Sequence, residues 1–126
     1  MIRVELSLRL PNNAGALAGV WQLLADERVN VIAMALDASG WLRLVVDNHV
    51  RGAAALRERR HQVAERDVLM AAVPDTPGAL AGVLRLVADA GVNVEYAYSG
   101  VGERALTASV VLGVDDVMRA SMAAGL

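Results

Sequence analysis

A stretch of 21 residues occurs twice in this chain, at an offset of 63 positions. Between residues 11–31 and residues 74–94, 13 of the 21 aligned positions carry the same amino acid. Both copies contain Gly-Ala-Leu-Ala-Gly-Val and both end in Val-Asn-Val. Similarity at a fixed offset is typical of a duplicated supersecondary unit. The sequence therefore predicts two related units, residues 1–67 and residues 68–126, whose function depends on what both do together.

Hydrophobic periodicity predicts the same order of elements in both units. In the first it predicts a strand over residues 2–10, a helix over 14–27, strands over 29–36 and 41–46, a helix over 50–60 and a strand over 61–67. In the second it predicts a strand over 68–73, a helix over 77–90, a strand over 92–99, a turn over 100–104, a strand over 105–114 and a helix over 115–124. The predicted fold class is α/β in the α+β sense. It has two tandem ferredoxin-like βαββαβ units with antiparallel sheets, fused through residues 61–73, and the second unit lacks its last strand.

Composition excludes several classes of function. The chain has no Cys, and all twelve of its basic residues are Arg, which excludes disulfides, thiolate metal sites, cysteine nucleophiles and lysine Schiff bases. A net charge of -2 gives no basis for nucleic-acid binding. His49 and His61 lack metal-ligand spacing, no serine has a suitable His and Asp, and Asp115 and Asp116 are interpreted as helix-start residues. We therefore expect no enzymatic activity, no metal and no cofactor.

The distribution of charged residues along the sequence indicates where in the cell the protein is expected. No stretch is both long enough and free enough of charge to span a membrane. Glu5 and Arg9 interrupt the N-terminal segment where a secretory signal would need an unbroken apolar region. The sequence therefore predicts a cytoplasmic protein that does not associate with membranes.

The motif that opens the second copy resembles the ACT domain, a family of small amino-acid-sensing modules in metabolic enzymes and regulators. The resemblance rests on Asp-Thr-Pro-Gly-Ala-Leu-Ala at residues 75–81, after a strand, and on Gly-Val-Asn-Val at 91–94. The first copy matches in part, with Asn-Asn-Ala-Gly-Ala-Leu-Ala at 12–18 and Arg-Val-Asn-Val at 28–31. Taken over nearly the whole chain, this is similar to free-standing tandem ACT proteins without a catalytic domain. The resemblance implies regulation by a small effector, most simply an amino acid.

The residues of the second motif have properties that suit such a ligand. Thr76 is placed as an N-cap and Pro77 as the first helical residue, so the N–H groups of the next three residues, Gly78, Ala79 and Leu80, would be free for a carboxylate. Asp75 precedes them and could accept an ammonium group, and the Asn93 amide could donate and accept. The resemblance implies that the ligand lies between the loop of one unit and the second strand of another.

The predicted ligand-binding residues are the equivalent positions of both copies. They are Asn12, Asn13, Ala14, Gly15, Ala16, Leu17, Asn30, Val31, Asp75, Thr76, Pro77, Gly78, Ala79, Leu80, Asn93 and Val94. A purely structural alternative stays open, because Asp, Thr, Asn and Pro before a helix are ordinary capping and turn residues. The first copy also lacks the carboxylate of Asp75. If the loops only cap helices, the chain is a structural or dimerisation module that acts through a protein partner.

Two further expectations concern packing. Gly15 and Gly19, like Gly78 and Gly82, lie one helical turn apart, which suits either tight helix-on-sheet packing or contact between the two equivalent helices. The strand over 68–73 lacks a covering neighbour on one flank, and an uncovered apolar strand invites another chain. We therefore expect a homodimer that covers this edge, unless the chain covers it from within.

Overall fold

The computed structural model describes residues 1–102 and 104–126. Six strands and four helices are present in this part of the chain, in an α+β arrangement with antiparallel strand pairing. They are β1 (Ile2–Arg9), α1 (Ala16–Asp26), β2 (Val31–Leu36), β3 (Trp41–Val46), α2 (His49–Glu58), β4 (Ala64–Pro74), α3 (Ala79–Asp89), β5 (Val94–Gly100), β6 (Thr107–Val114) and α4 (Val117–Ala124). The predicted turn over 100–104 includes Glu103, which lies outside the described residues. The chain divides into two compact units, Val4–Arg66 and Met1–Arg3 with Asp67–Leu126.

The unit Val4–Arg66 is a three-stranded sheet with two helices on one face. Strand β3 pairs antiparallel with β1, where Arg9 lies opposite Trp41, and antiparallel with β2. Alternate positions of the strands carry aliphatic side chains, which places them together on one face. With the apolar positions of the two helices they form the core of the unit, which includes Leu6, Leu8, Leu10, Val20, Leu24, Leu42, Leu44, Val46, Ala53 and Leu56.

The unit that contains Asp67–Leu126 is built in the same way. Strand β6 pairs antiparallel with β4, where Leu69 lies opposite Leu112, and antiparallel with β5, where Tyr98 lies opposite Val111. Helices α3 and α4 contact each other and contribute to the core. Its buried residues include Leu69, Ala71, Val73, Val87, Val92, Val110, Leu112, Val114 and Ala120.

Strand β4 differs from the prediction in where it begins. Residues 61–67 and 68–73 were expected as strands that run straight into each other, and a single strand does run over Ala64–Pro74. Residues 61–63 lie outside it, because the His61 N–H donates to the Leu56 carbonyl at 3.1 Å and closes the end of α2. The strand that the sequence predicted from residue 61 therefore begins three residues later, and His61 is not part of it.

The flank of β4 at Met70 is covered from within. The N-terminal ammonium of Met1 donates to the Met70 carbonyl at 2.9 Å, and the Met70 N–H donates to the Met1 carbonyl at 2.8 Å. The expectation of an open edge at this residue is wrong. An edge strand invites another chain only where its backbone groups are unpaired. The sequence-based reason for a homodimer therefore does not hold at Met70.

Helices α1 and α3 begin two residues later than predicted. Each is preceded by a glycine in the left-handed conformation, Gly15 with φ 88° and Gly78 with φ 81°, and neither helix has a side-chain cap. The prediction that Thr76 is the N-cap and Pro77 the first helical residue is therefore wrong. A left-handed residue reverses the chain before the helix starts, and glycine adopts that conformation at no steric cost.

The spaced glycines are not packing contacts within the described structure. A Cβ built at Gly15, Gly19, Gly78 or Gly82 meets no described atom within 4 Å. The expected tight packing of these helices on the sheet of their own unit through the glycines is therefore not found among the described residues. None of the helices in the described ranges has the length and apolarity that a membrane span needs.

The two glycines of α3 provide a matched test of this geometry. Gly78→Ala should destabilise the chain by roughly 1–2 kcal/mol, because a Cβ is disfavoured at positive φ. Gly82→Ala should stabilise it by up to about 1 kcal/mol, because Gly82 is helical and alanine has the higher helix propensity. Urea unfolding of both variants measures the difference. Equal effects of the same sign would contradict a left-handed start at Gly78.

Candidate functional site

A pocket of about 130 Å³ lies in the unit Val4–Arg66, between the β1–α1 loop and the turn that joins β2 to β3. It brings together four of the predicted site residues with the end of β2 and the turn. Its lining residues are Leu10, Pro11, Asn12, Asn13, Ala16, Leu17, Leu36, Asp37, Ala38 and Gly40. Ala14 and Gly15 lie in the same loop, and both are exposed. The turn residues were not predicted as part of a site.

Backbone hydrogen bonds hold this loop and this turn together. The Leu10 N–H donates to the Gly40 carbonyl at 2.7 Å, and the Asn13 N–H donates to the Pro11 carbonyl at 3.0 Å. Gly40 has φ 87°, and a Cβ at this position would lie 2.5 Å from the Leu10 carbonyl oxygen. Only glycine fits such a close approach with a left-handed backbone. The end of β1 and the β2–β3 turn are therefore fixed relative to each other.

Asp37 provides a carboxylate in this pocket. Its Oδ1 accepts hydrogen bonds from the Ser39 hydroxyl, the Ser39 N–H at 2.9 Å and the Trp41 N–H at 3.1 Å. The bond from the Ser39 side chain, followed by the backbone bond from Trp41, holds the pKa of Asp37 below its ordinary value, because both stabilise the charged form. The pocket thus has the carboxylate that the first loop itself lacks. The sequence signal was an Asp two residues before a Ser in a turn, which reads as a turn device and not as a site.

The start of α1 contributes the opposite polarity. The Ala16 N–H donates to the Asn13 carbonyl at 3.5 Å, and the Gly19 N–H donates to the Gly15 carbonyl at 2.9 Å. Between them, the N–H groups of Leu17 and Ala18 have no acceptor among residues 1–102 and 104–126. Unpaired N–H groups at a helix start carry a partial positive charge. Because Ala16 and Leu17 line the pocket, the positive end of the helix dipole borders the same pocket as Asp37.

The second loop is arranged differently. Asp75, Thr76, Pro77 and Gly78 are all exposed, and the Asp75 N–H donates to the Leu106 carbonyl at 2.7 Å. The Ala79 N–H donates to the Thr76 carbonyl at 3.2 Å, so it is not free as predicted. A neighbouring pocket of about 260 Å³ is lined by Ala72, Val73, Pro74, Arg104 and Thr107. Among its described lining residues the charged one is Arg104, and Asp75 is not one of them. Leu80 is half-buried and follows Ala79 in α3.

Asn30 and Asn93 hold the starts of two strands through their backbones. The Asn30 N–H donates to Asp47 Oδ1 at 3.0 Å, and the Asp47 N–H returns a bond to the Asn30 carbonyl at 3.0 Å. Asn93 exchanges the same two bonds with Asp115, at 3.0 and 3.2 Å. Both asparagines are exposed, and Val31 and Val94 begin β2 and β5 directly after them.

The two aspartates of these junctions were not predicted to act on the asparagines. The next residue after each is an N-cap: Asn48 accepts from the Arg51 N–H and Asp116 from the Arg119 N–H, both at 3.0 Å. The interpretation of Asp116 as a helix-start residue is confirmed. A second repeated pattern, Val-Asp-(Asn/Asp)-x-x-Arg at 46–51 and 114–119, was the signal that sequence reasoning missed.

The acidic and histidine side chains that the structure describes do not form a metal site. Within the described ranges, no three His, Asp or Glu residues are grouped so that they could hold an ion. The first pocket therefore has one carboxylate, two asparagine amides and a helix start as its polar groups. That set is able to bind a small molecule with both a positive and a negative group.

Comparison with known proteins assigns the family. Residues 68–124 match the sequence model of the ACT domain. The crystal structure of protein BT0572 from Bacteroides thetaiotaomicron is 32% identical, with a TM-score of 0.84, and the match covers 98% of this chain and 86% of that one. Residues 68–124 form an ACT domain. No curated protein matches it in sequence.

Two more distant structures share the fold of this chain. The ligand-free regulatory subunit of aspartate kinase from Thermus thermophilus is 20% identical, with a TM-score of 0.71 and coverage of 99% of this chain and 92% of that one. Aspartokinase III of E. coli, in complex with lysine and aspartate, is 17% identical, with a TM-score of 0.58 and coverage of 94% and 29%. At these identities the likeness concerns the ACT-type fold alone.

The hydrogen bonds at Asp37 predict an acidic titration that depends on Ser39. Because its pKa is lowered in the folded chain, Asp37 should stay ionised until the pH falls below the ordinary range of an aspartate. Its stabilising effect on the turn is present above the unfolded pKa and is lost as the pH falls through the folded pKa. Ser39→Ala removes the largest cause, so the pKa should rise. NMR titration of the side-chain carboxyl measures both values; an unchanged pKa in Ser39→Ala would contradict this account.

Proposed function

We propose that the chain is a regulatory module that binds a free amino acid and catalyses no reaction. In this proposal, residues 4–66 form a second ACT repeat beside the matched residues 68–124. The repeat over 11–31 and 74–94, the shared order of elements and the two equivalent Asn–Asp junctions support it. A cytoplasmic location stays a prediction from the sequence.

The observation that carries this proposal is the pairing of Asp37 with the start of α1 around one pocket. An amino acid has an ammonium group and a carboxylate a few bonds apart. The ionised Asp37 takes the ammonium, and the N–H groups of Leu17 and Ala18 take the carboxylate through the positive end of the helix. The amides of Asn12 and Asn13 both donate and accept, which suits either group.

The size of the pocket supports a small ligand. A volume of about 130 Å³ is several times what one ordered water needs. It is below the range of about 300–1,000 Å³ for pockets that enclose drug-sized ligands. The charged head of an amino acid therefore fits, while a longer side chain extends out of the pocket.

The second loop offers a weaker version of the same chemistry. Asp75 lies beside the start of α3, and Arg104 lines the neighbouring pocket. We place a second amino-acid site at residues 75–80 with Asn93 and Val94, as the ACT resemblance implies. Amino acids as ligands also agree with the lysine and aspartate in the E. coli aspartokinase III structure, and regulation agrees with the Thermus subunit.

Calorimetry and thermal shift with the common amino acids at millimolar concentration test the proposal. At least one amino acid should bind and raise the melting temperature, because a ligand that binds the native state stabilises it. Asp37→Asn keeps an acceptor in the turn but removes the charge, and should weaken binding roughly 10- to 150-fold, as expected for hydrogen bonds between charged groups. Asp26→Asn, at the exposed end of α1, should leave the affinity unchanged.

A second variant distinguishes a binding site at the first loop from one at the second loop. Asp75→Ala should weaken only a site at the second loop, again by roughly 10- to 150-fold. Affinity lost in Asp75→Ala and kept in Asp37→Asn would move the site to the second loop. If no amino acid binds the wild-type chain, the sensing function is wrong.

A second candidate function, assembly with a protein partner, is favoured by the surface of α4. Met118 and Met122 lie one helical turn apart and are 62% and 81% exposed. Exposed methionines are adaptable contact residues and are common at binding surfaces. Sedimentation at several concentrations, without ligand, tests for self-association through this surface. Met122→Gln should reduce the association, whereas a chain that stays monomeric in both forms would oppose a homodimer.

A further inference from the structure

A larger pocket lies elsewhere in the unit Val4–Arg66, at the end of β1 and after α2. Its volume is about 640 Å³, and its lining residues are Arg9, Trp41, Arg60, His61, Gln62, Val63 and Ala64. It shares no lining residue with the two pockets near the predicted site. None of the candidate residues identified from the sequence belongs to it.

The charged groups of this pocket are all basic. Two guanidinium groups, Arg9 and Arg60, line it together with the His61 imidazole, and no carboxylate is among its described lining residues. The nearby Glu65 is held by Arg57, whose Nη2 lies 3.2 Å from Glu65 Oε2 and also donates to the Val63 carbonyl at 3.1 Å. This acidic neighbour is thus already neutralised. In a chain of net charge -2, a pocket whose described lining residues include basic groups and no acidic one is a local reversal of sign.

Arg9 is held in place on an aromatic surface. Its guanidinium carbon lies 5.7 Å from the centre of the Trp41 ring, within the range of a cation–π contact. The two residues face each other across the β1–β3 pair. A guanidinium that is fixed in this way loses less freedom when it binds an anion than a freely rotating side chain does.

Arg60 is presented by an unusual backbone. It has φ 67°, and it follows α2 where the Arg60 N–H donates to the Arg57 carbonyl at 2.9 Å. Helices commonly end with a left-handed residue, and glycine is the usual one. The second copy has Gly91 after α3, with φ 74°, whereas Arg28 follows α1 with φ 56°. Backbone strain therefore does not distinguish Arg60 from Arg28; its place in the pocket does.

We infer that this pocket binds a small organic anion with at least two negative charges, either a phosphate ester or a dicarboxylate. Arginine forks bind the oxygens of both groups in pairs. Arg9 and Arg60 supply the charge, and the His61 ring and Gln62 amide supply further hydrogen bonds. The volume of the pocket has room for a small ligand, and the Trp41 ring offers an apolar surface to the carbon atoms of that ligand. The described lining of this pocket has no carboxylate to bind an ammonium group, so its ligand differs from the amino acid proposed for the Asp37 pocket.

Four probes distinguish the two classes of anion. Inorganic phosphate and glycerol phosphate test for a phosphate ligand, and succinate and citrate test for a carboxylate ligand. Each is titrated into the full chain at constant ionic strength set with sodium chloride, because salt screens exposed charges. The readouts are the melting temperature and the NMR signal of the Trp41 indole N–H. At least one probe should raise the melting temperature and shift the Trp41 signal, with saturation.

Two glycine variants form a matched pair. Each removes one positive charge and replaces an arginine of positive φ by glycine, which adopts that backbone conformation without strain. Arg60→Gly should weaken binding of the active probe about tenfold or more, as for loss of a hydrogen bond to a charged group. Arg28→Gly should leave the affinity unchanged, and both variants should fold. Arg9→Gln should reproduce the loss of Arg60→Gly.

Two results would overturn this inference. One is that no probe shifts the Trp41 signal. The other is that Arg28→Gly weakens binding as much as Arg60→Gly does, which would mean general charge attraction. Because the amino-acid titration is read through Asp37→Asn, either result leaves the proposed amino-acid site untouched, and failure of that site leaves the anion pocket untouched.

Discussion

Each unit depends on burying one face of a three-stranded antiparallel sheet beneath two helices. In the unit Val4–Arg66 the strands contribute Leu6, Leu8, Leu42 and Leu44 to that face, and all four are 0–1% exposed. A shift of one residue in strand register would turn these side chains to the opposite face. The register is therefore fixed by the hydrophobic pattern. Loops, turns and helix starts take their positions from it.

The composition of the first pocket follows from this register. Arg9 pairs with Trp41, so the loop that follows β1 and the turn that precedes β3 leave the sheet at the same end. This brings Asn12 and Asn13 to Asp37, although many residues separate them in the chain. The bond from Leu10 to Gly40 then fixes the distance between loop and turn. The carboxylate of the pocket comes from a part of the chain that has no counterpart in the loop motif.

The sequence was sufficient for features that depend on local order. Alternating aliphatic residues predicted β1 and β3 closely, and the apolar spacing over residues 14–27 predicted α1, which the structure has at Ala16–Asp26, because burial of one face imposes these periods. The motifs Asp-Thr-Pro-Gly-Ala-Leu-Ala at residues 75–81 and Gly-Val-Asn-Val at 91–94 led to the ACT resemblance, which the comparison confirms for residues 68–124. Two predicted site residues of the first loop and two at the start of α1 line one pocket, and their role in binding a ligand stays a prediction.

Features that depend on contacts between distant residues were missed or misplaced. Pro77 looked like a first helical residue, but a left-handed Gly78 delays α3, and local propensity does not reveal that choice. Asp47 was not identified from the sequence, yet it accepts a hydrogen bond from the Asn30 backbone. Asp37 looked like a turn residue only. In each case the missing information was which strand ends lie side by side, and a single sequence does not contain it.

A titration of isotope-labelled chain with the tightest-binding amino acid, followed through backbone amide NMR signals, tests the central claim most directly. The largest shifts should fall on residues that line the first pocket, at Asn12, Asn13 and Leu17 of the loop and at Asp37 and Ala38 of the turn. The Arg60 and Gln62 signals of the basic pocket should stay unchanged. Shifts confined to residues 75–80, or no saturable shift at the β2–β3 turn, would contradict an amino-acid site built around Asp37.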